Sequence, residues 1–317
     1  MSSRPTSQED GKTSGNRAMP DFSKFNVCDS FTNSISSPLN GGEEHRRLSR
    51  QQLEEAEGRL GKRDRQILTA VQRYRYLLTS QIQRLYFTDA ATSAAALRAT
   101  ARTLKKLREL GLVDHLARRI GGVRAGSGSL VWYITHAGER LLRLHDQAPT
   151  PIKRFFEPSP YFLAHTLAVA DVAVQLTELC QEPHGAKLTT VQPEPECWRT
   201  YSEYGTMLAL KPDLFAITVS GQYEDRWFIE VDLATESPAK VVGKCEKYHR
   251  YYRTGLEQQE AEVFPLTVWI VPTVDRKEKL IAHIRAAFDK QPKLFSVITT
   301  DELAYLIRHG GDGGTLC

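Results

Sequence analysis

The sequence predicts an α+β fold in two units: a helical unit closed by a strand hairpin, then a mixed sheet with helices on its faces. Three observations predict it. Apolar residues recur at helical spacing over residues 63–110 and again over 161–180. Runs of β-branched and aromatic residues, LVWYIT at 130–135 and LTVWIV at 266–271, read as strands. Between the two units, residues 146–160 carry Pro149, Pro151, Pro158 and Pro160, the composition of a linker.

Residues 1–58 are rich in Ser, Gly, Asn, Arg and Glu, with scattered apolar residues. They bury too little surface to offset chain entropy, which predicts a disordered head. Residues 51–60 can alternatively extend the first helix. The first unit covers 59–145, the second 161–309, and 310–317 read as a flexible tail. The start of the chain has no apolar signal core, and no apolar run approaches the ~20 residues of a membrane span. Five scattered cysteines form no CxxC pattern, which argues against a zinc site or a disulfide framework. A cytoplasmic protein without membrane contact is expected.

In the first unit, Ile67, Leu68, Val71 and Leu78 mark a helix, and Thr79 opens a short second one with Ile82, Leu85 and Tyr86. A third helix runs from about Thr92 to Leu110, with Leu97, Ala101, Leu104 and Leu107 as its expected buried side. Gly111 suits its C-terminus. Two strands, 112–116 and 130–135, flank a Gly-rich basic loop, and a helix over 136–144 closes the unit. Three helices followed by a hairpin is the order of a winged helix-turn-helix, and LKKLRELGLV with VWYITHAGERLL resembles winged-helix regulators.

Charge sharpens that reading. Net charge is only +4, yet residues 94–124 hold eight Lys/Arg against two acids. A local basic patch is the footprint of a polyanion partner. Arg98, Thr100, Arg102, Lys105 and Lys106 are the expected DNA contacts from the third helix, which can enter a major groove. Arg118, Arg119 and Arg124 on the loop are expected to reach phosphate or the minor groove. Double-stranded DNA is the expected partner, and a homodimer is compatible with the sequence. The bland alternative is a solvated cationic face.

The second unit opens with a helix over 161–180. Strands follow at 188–191, 208–218 and 226–233, then a basic helix over 237–253, a strand at 266–271, a helix over 277–288, a strand at 295–299 and a short helix over 301–307. Two phrases carry chemistry, KPDLFAIT and WFIEVDLATES. Asp213 follows Pro212, while Glu230 and Asp232 are two apart and share a face on a strand. Converging carboxylates suit Mg²⁺, which takes oxygen ligands.

This order resembles the PD-(D/E)xK nuclease superfamily. The resemblance implies Asp213, Glu230 and Asp232 as Mg²⁺ ligands and a catalytic lysine. The lysine position itself holds Asp232, which leaves Lys240 and Lys244, one turn apart on the next helix, as its substitutes; Tyr248 and Tyr252 continue their stripe. Glu236 and Glu178 are further acids, and His165 reads more readily as a packed histidine than as a ligand.

RDRQILTAVQRYRYLLTSQIQRLYF, HTLAVADVAVQL, and KPDLFAIT with FIEVDLATES and KCEKYHRYY together resemble the replication-relaxation family of bacterial plasmid and mobile-element proteins, over about residues 60–290. That resemblance implies a role in replication, relaxation or mobilisation of such an element, alongside replication or mobilisation proteins. A Mg²⁺-dependent DNA endonuclease and a winged-helix transcriptional regulator are the alternatives.

Overall fold

A computed structural model of the chain describes residues 48–116, 129–144, 158–182, 185–289 and 293–310. The first unit starts with α1 (Arg50–Gly58), capped by the Ser49 hydroxyl, which accepts from the Gln52 backbone N–H. Leu53 and Ala56 are buried, so these residues join the packed unit rather than the polar head. Helix α2 (Lys62–Tyr74) buries Ile67, Leu68, Ala70 and Val71. Strand β1 (Leu77–Leu78) leads into α3 (Thr79–Tyr86). Helix α4 (Ser93–Glu109) is capped by Thr92, whose side chain accepts from the Ala95 N–H. Gly111, at a φ of 71°, turns the chain out of it, a conformation that favours glycine.

Strands β2 (Val113–His115) and β3 (Val131–Ile134) pair antiparallel, and β1 adds to the other side of β3, giving the order β1-β3-β2. Helix α5 (His136–Leu142) closes the unit, seated closely over the exit of α4. A Cβ on Gly138 would fall 2.1 Å from the Leu112 carbonyl oxygen.

The buried residues of α4 are Ala96, Thr100, Leu104 and Leu107. The expected side was right in its C-terminal half and out of phase before it: Leu97 and Ala101 are exposed. Small residues at Ala96 and Thr100 let the start of α4 approach its neighbours closely, so the helix turns them inward instead of the leucine.

Helix α6 (Pro160–Leu179) opens the second unit. Strand β4 (Lys187–Pro193) is followed by a separate hairpin, β5 (Arg199–Glu203) and β6 (Thr206–Leu210), then by β7 (Leu214–Ser220) and β8 (Tyr223–Val231). Sequence alone suggested one strand over 208–218; Pro212 lacks the N–H that a continuous ladder needs, and the chain leaves one sheet and enters another there. Helices α7 (Pro238–Tyr252) and α8 (Leu256–Ala261), strand β9 (Leu266–Val271), helix α9 (Val274–Phe288), strand β10 (Phe295–Thr299) and α10 (Leu303–His309) complete it.

The main sheet has the order β10-β9-β8-β7-β4. Strands β4, β7 and β8 form an antiparallel meander, and β8, β9 and β10 run parallel. The sheet is therefore mixed, within an α+β chain. Alternation along β8 sends Trp227, Ile229 and Val231 to a core shared with α6 and α10. Phe228 goes to the opposite core with α7 and α9.

By length and composition α6 is apolar enough to cross a membrane. In the fold its apolar residues are divided between partners. Leu163 and Leu167 pack with Tyr76, Val131 and Tyr133 of the first unit, while Val169, Val172, Ala173 and Leu176 pack under the sheet. Polar contacts tie the units further. Gln81 donates to the Leu167 carbonyl at 2.9 Å, and Arg84 bridges Asp171 at 2.7 Å and Glu178. Arg73 reaches Glu196 at 2.6 Å.

Candidate functional site

The meander places Asp213 just before β7 and Glu230 near the end of β8, on neighbouring strands, while α7 crosses beside them. Lys244 projects from α7 onto the Glu230 carboxylate and lies 4.0 Å from Asp213 Oδ1. The other Glu230 oxygen accepts the hydroxyl of Tyr248, one turn along α7. Asp213 Oδ2 accepts the Val231 N–H at 2.8 Å and lies 3.2 Å from His165 Nε2 on α6. His165 Nε2 is also 3.1 Å from the Val231 carbonyl. Two acceptors at one nitrogen require that Nε2 carry the proton.

Glu230 is fully buried and Asp213 nearly so. Burial opposes ionisation of Asp213, but the Lys244 charge, the His165 contact and the Val231 N–H hold its carboxyl well below the usual range. Burial pushes Glu230 up to about 8 against the pull of Lys244, with the neighbouring Asp213 charge adding to the rise. Burial works against the Lys244 ammonium, yet Glu230 and Asp213 keep it charged above the ordinary lysine range. Burial lowers His165, but its hydrogen bond to Asp213 prevails and raises it. Burial and the adjacent Glu230 hold the Tyr248 hydroxyl protonated. The cluster thus sets two buried acids against one ammonium, with His165 or Glu230 taking up the balancing proton.

The other expected residues lie elsewhere. Asp232 follows the last residue of β8 and turns to different partners. Its Oδ2 accepts Arg276 Nε at 2.6 Å and its Oδ1 accepts the Ala234 N–H at 2.8 Å, where Ala234 adopts a left-handed φ of 59°. Arg276 also donates to the Glu236 carbonyl at 2.8 Å. Lys240, in the first turn of α7, is exposed. Glu178 serves the contact with Arg84. Sequence reasoning missed Arg276, because a lone cation in the first turn of α9 carries no signal of which acid it will meet.

Mg²⁺ needs several oxygens free to face it. Asp232 is held by Arg276, and the oxygens of Asp213 and Glu230 all face protein donors. Among the described residues no group of three or more His, Cys, Asp or Glu is arranged to hold a metal ion. The side chains as placed do not fit the three-acid set.

The cationic helix forms a separate surface. Arg98, Arg102 and Lys105 are exposed along α4. Lys105 has an acid partner one turn away, Glu109 at 3.8 Å, and no ion pair engages Arg98 or Arg102 among the described residues. Two expected contacts do not share this face. Thr100 is fully buried and donates to the Ala96 carbonyl at 2.8 Å, and Lys106 pairs with the nearly buried Asp64 at 2.5 Å. Arg108 is drawn to Asp114 at 2.8 Å. Arg118, Arg119 and Arg124 lie outside the described residues.

No curated protein and no solved structure matches the chain. The family model for replication-relaxation matches residues 68–267, from within α2 to the start of β9. That span takes in both the cationic helix and the buried acid cluster and exceeds half of the sequence, so the chain belongs to the replication-relaxation family.

Proposed function

We propose that this protein binds double-stranded DNA through α4, within a winged helix-turn-helix, in the replication, relaxation or mobilisation of a plasmid or integrated element. One observation carries the reading: Arg98, Arg102 and Lys105 lie exposed along one face of a helix anchored on its other side by Leu104 and Leu107. A helix so presented suits a major groove, where guanidinium groups bond guanine edges or phosphate. The β1-β3-β2 sheet behind the helices supports the winged-helix assignment. The family adds the expected company of replication or mobilisation proteins.

Binding to a random-sequence 30-bp duplex pool, measured against salt, tests it. Affinity should fall steeply with salt, and Arg102→Ala with Lys105→Ala should weaken it at least tenfold. Each lost phosphate contact lowers the salt slope by about 0.9. Equal affinity in wild type and double variant would remove the reading.

A second reading, a Mg²⁺-dependent endonuclease, is favoured by the meeting of Lys244 with both Asp213 and Glu230. The meander, crossing helix and parallel strand support a nuclease-like PD-(D/E)xK assignment for this unit. Cleavage would require Lys244 to release Glu230, opening the two carboxylates to the cation. Nicking of supercoiled plasmid in Mg²⁺ or Mn²⁺, abolished by Asp213→Ala and by Glu230→Ala, would establish it. Absence of metal-dependent nicking by the folded full chain would leave the cluster a structural one.

A further inference from the structure

The cationic face of α4 is not uniformly polar. Leu97 is half exposed, at 50%, between the buried Ala96 and the exposed Arg98, and Ala101 is exposed one turn further on. A single exposed leucine needs no explanation in general. Here its surroundings matter. Leu97 and Ala101 form a short apolar stripe at i, i+4, bordered by Arg98, Arg102 and Lys105. Those cations make the face complementary to a polyanion. The apolar group that a polyanionic groove offers is the thymine 5-methyl, which lies on the major-groove edge of every A·T pair.

We propose that Leu97, seconded by Ala101, packs on thymine methyl groups, so that the duplex site carries thymine opposite the N-terminal half of α4. The inference rests on the DNA-binding reading and adds base preference to it. Helix geometry sets the scale: residues four apart are separated by about 6 Å along the axis, under two base-pair steps at 3.4 Å each. The two side chains can therefore serve neighbouring or next-neighbouring pairs. Arginines beside them supply affinity through phosphate and guanine edges, while the methyl contacts discriminate A·T-bearing sequences.

The test selects the tightest duplexes from the random 30-bp pool with the full chain, then remakes the winner with uracil in place of thymine. Uracil lacks only the methyl. Removing one buried methyl-sized group costs roughly fourfold in affinity. The wild type should bind the uracil duplex about fourfold more weakly for each methyl contacted. Leu97→Ala should weaken binding to the thymine duplex and shrink the uracil penalty, since the side chain that senses the methyl is gone. Leu97 is exposed, so the variant should keep the wild-type unfolding profile.

Equal binding of thymine and uracil duplexes by the wild type would overturn the proposal while leaving DNA binding intact. An undiminished uracil penalty in Leu97→Ala would also overturn it, assigning the effect to duplex shape or to another residue. A change of oligomeric mass in Leu97→Ala without any change in uracil penalty would assign the stripe to a second copy of the chain instead. Failure to enrich any duplex, with salt-independent background, would reject the DNA-binding reading itself.

Discussion

Loss of a proton from the acid cluster should make this protein less stable as pH rises through neutrality. Asp213 and Glu230 share the single ammonium of Lys244, and the folded chain makes up the missing positive charge with a proton on His165 or Glu230. Both groups are raised in the fold, Glu230 to about 8 from 4.5 and His165 above 6.5. For groups shifted this way, the stabilisation is fully present below the unfolded pKa and is lost as pH climbs through the folded one. Above pH 6.5 the unfolded chain has largely released the proton that the fold retains. One proton corresponds to about 1.4 kcal/mol per pH unit, so stability should drop by roughly 2 kcal/mol between pH 6.5 and 8. Urea unfolding followed by tryptophan fluorescence can read this, because Trp227 and Trp269 are buried in the main sheet. In Glu230→Gln the Glu230 contribution is gone, so the slope over this window should fall to the part that His165 carries through its hydrogen bond to Asp213. His165→Asn should keep most of it, since Glu230 can still take the proton. A wild-type stability that is flat or rising over the window would refute the charge-balance argument, as would an unchanged slope in Glu230→Gln.

Arg276→Met should destabilise by about 3–5 kcal/mol, because it leaves the nearly buried Asp232 carboxylate without its counter-ion; combining it with Asp232→Leu should restore part of the loss in the same urea titration. Arg84→Ala should cost about 1 kcal/mol, since its bridges to Asp171 and Glu178 are roughly a third exposed and screened by water. An equal midpoint in that variant would show that the Arg84 bridges add nothing to the hold that Leu163, Leu167, their apolar neighbours and the Gln81 hydrogen bond already supply. Gly138→Ala should be far more severe than its size suggests, because the new Cβ would meet backbone at Leu112, which cannot swing aside. A thermal midpoint within a degree of wild type would contradict the close seating of α5.

Much of the fold was legible because single elements carried their own signals. Strands β9 and β10 coincide with their predicted spans, since short β-branched and aromatic runs between polar segments leave little freedom in placing the ends. Gly111 marked the end of α4 by a backbone requirement that any reader of the sequence could apply. The failures share a different cause: they concern which of several similar residues meets which partner. Leucine spacing along α4 could not show that Ala96 and Thr100 fit the close approach to neighbouring elements while Leu97 remains outside. The two lysines of α7 share a helical face by spacing, yet only Lys244 reaches the strand ends, because Lys240 sits in the first turn. Asp232 shows the limit most sharply. Period-two alternation assigns it the same face as Glu230, and that holds only while the strand continues. Strand β8 ends one residue earlier, the chain turns at Ala234, and Arg276 from a helix more than forty residues away takes the carboxylate. A motif spelled in the sequence thus becomes two separate ion-pair systems in the fold. The number of acids in the motif therefore overstates the oxygens that could face one cation.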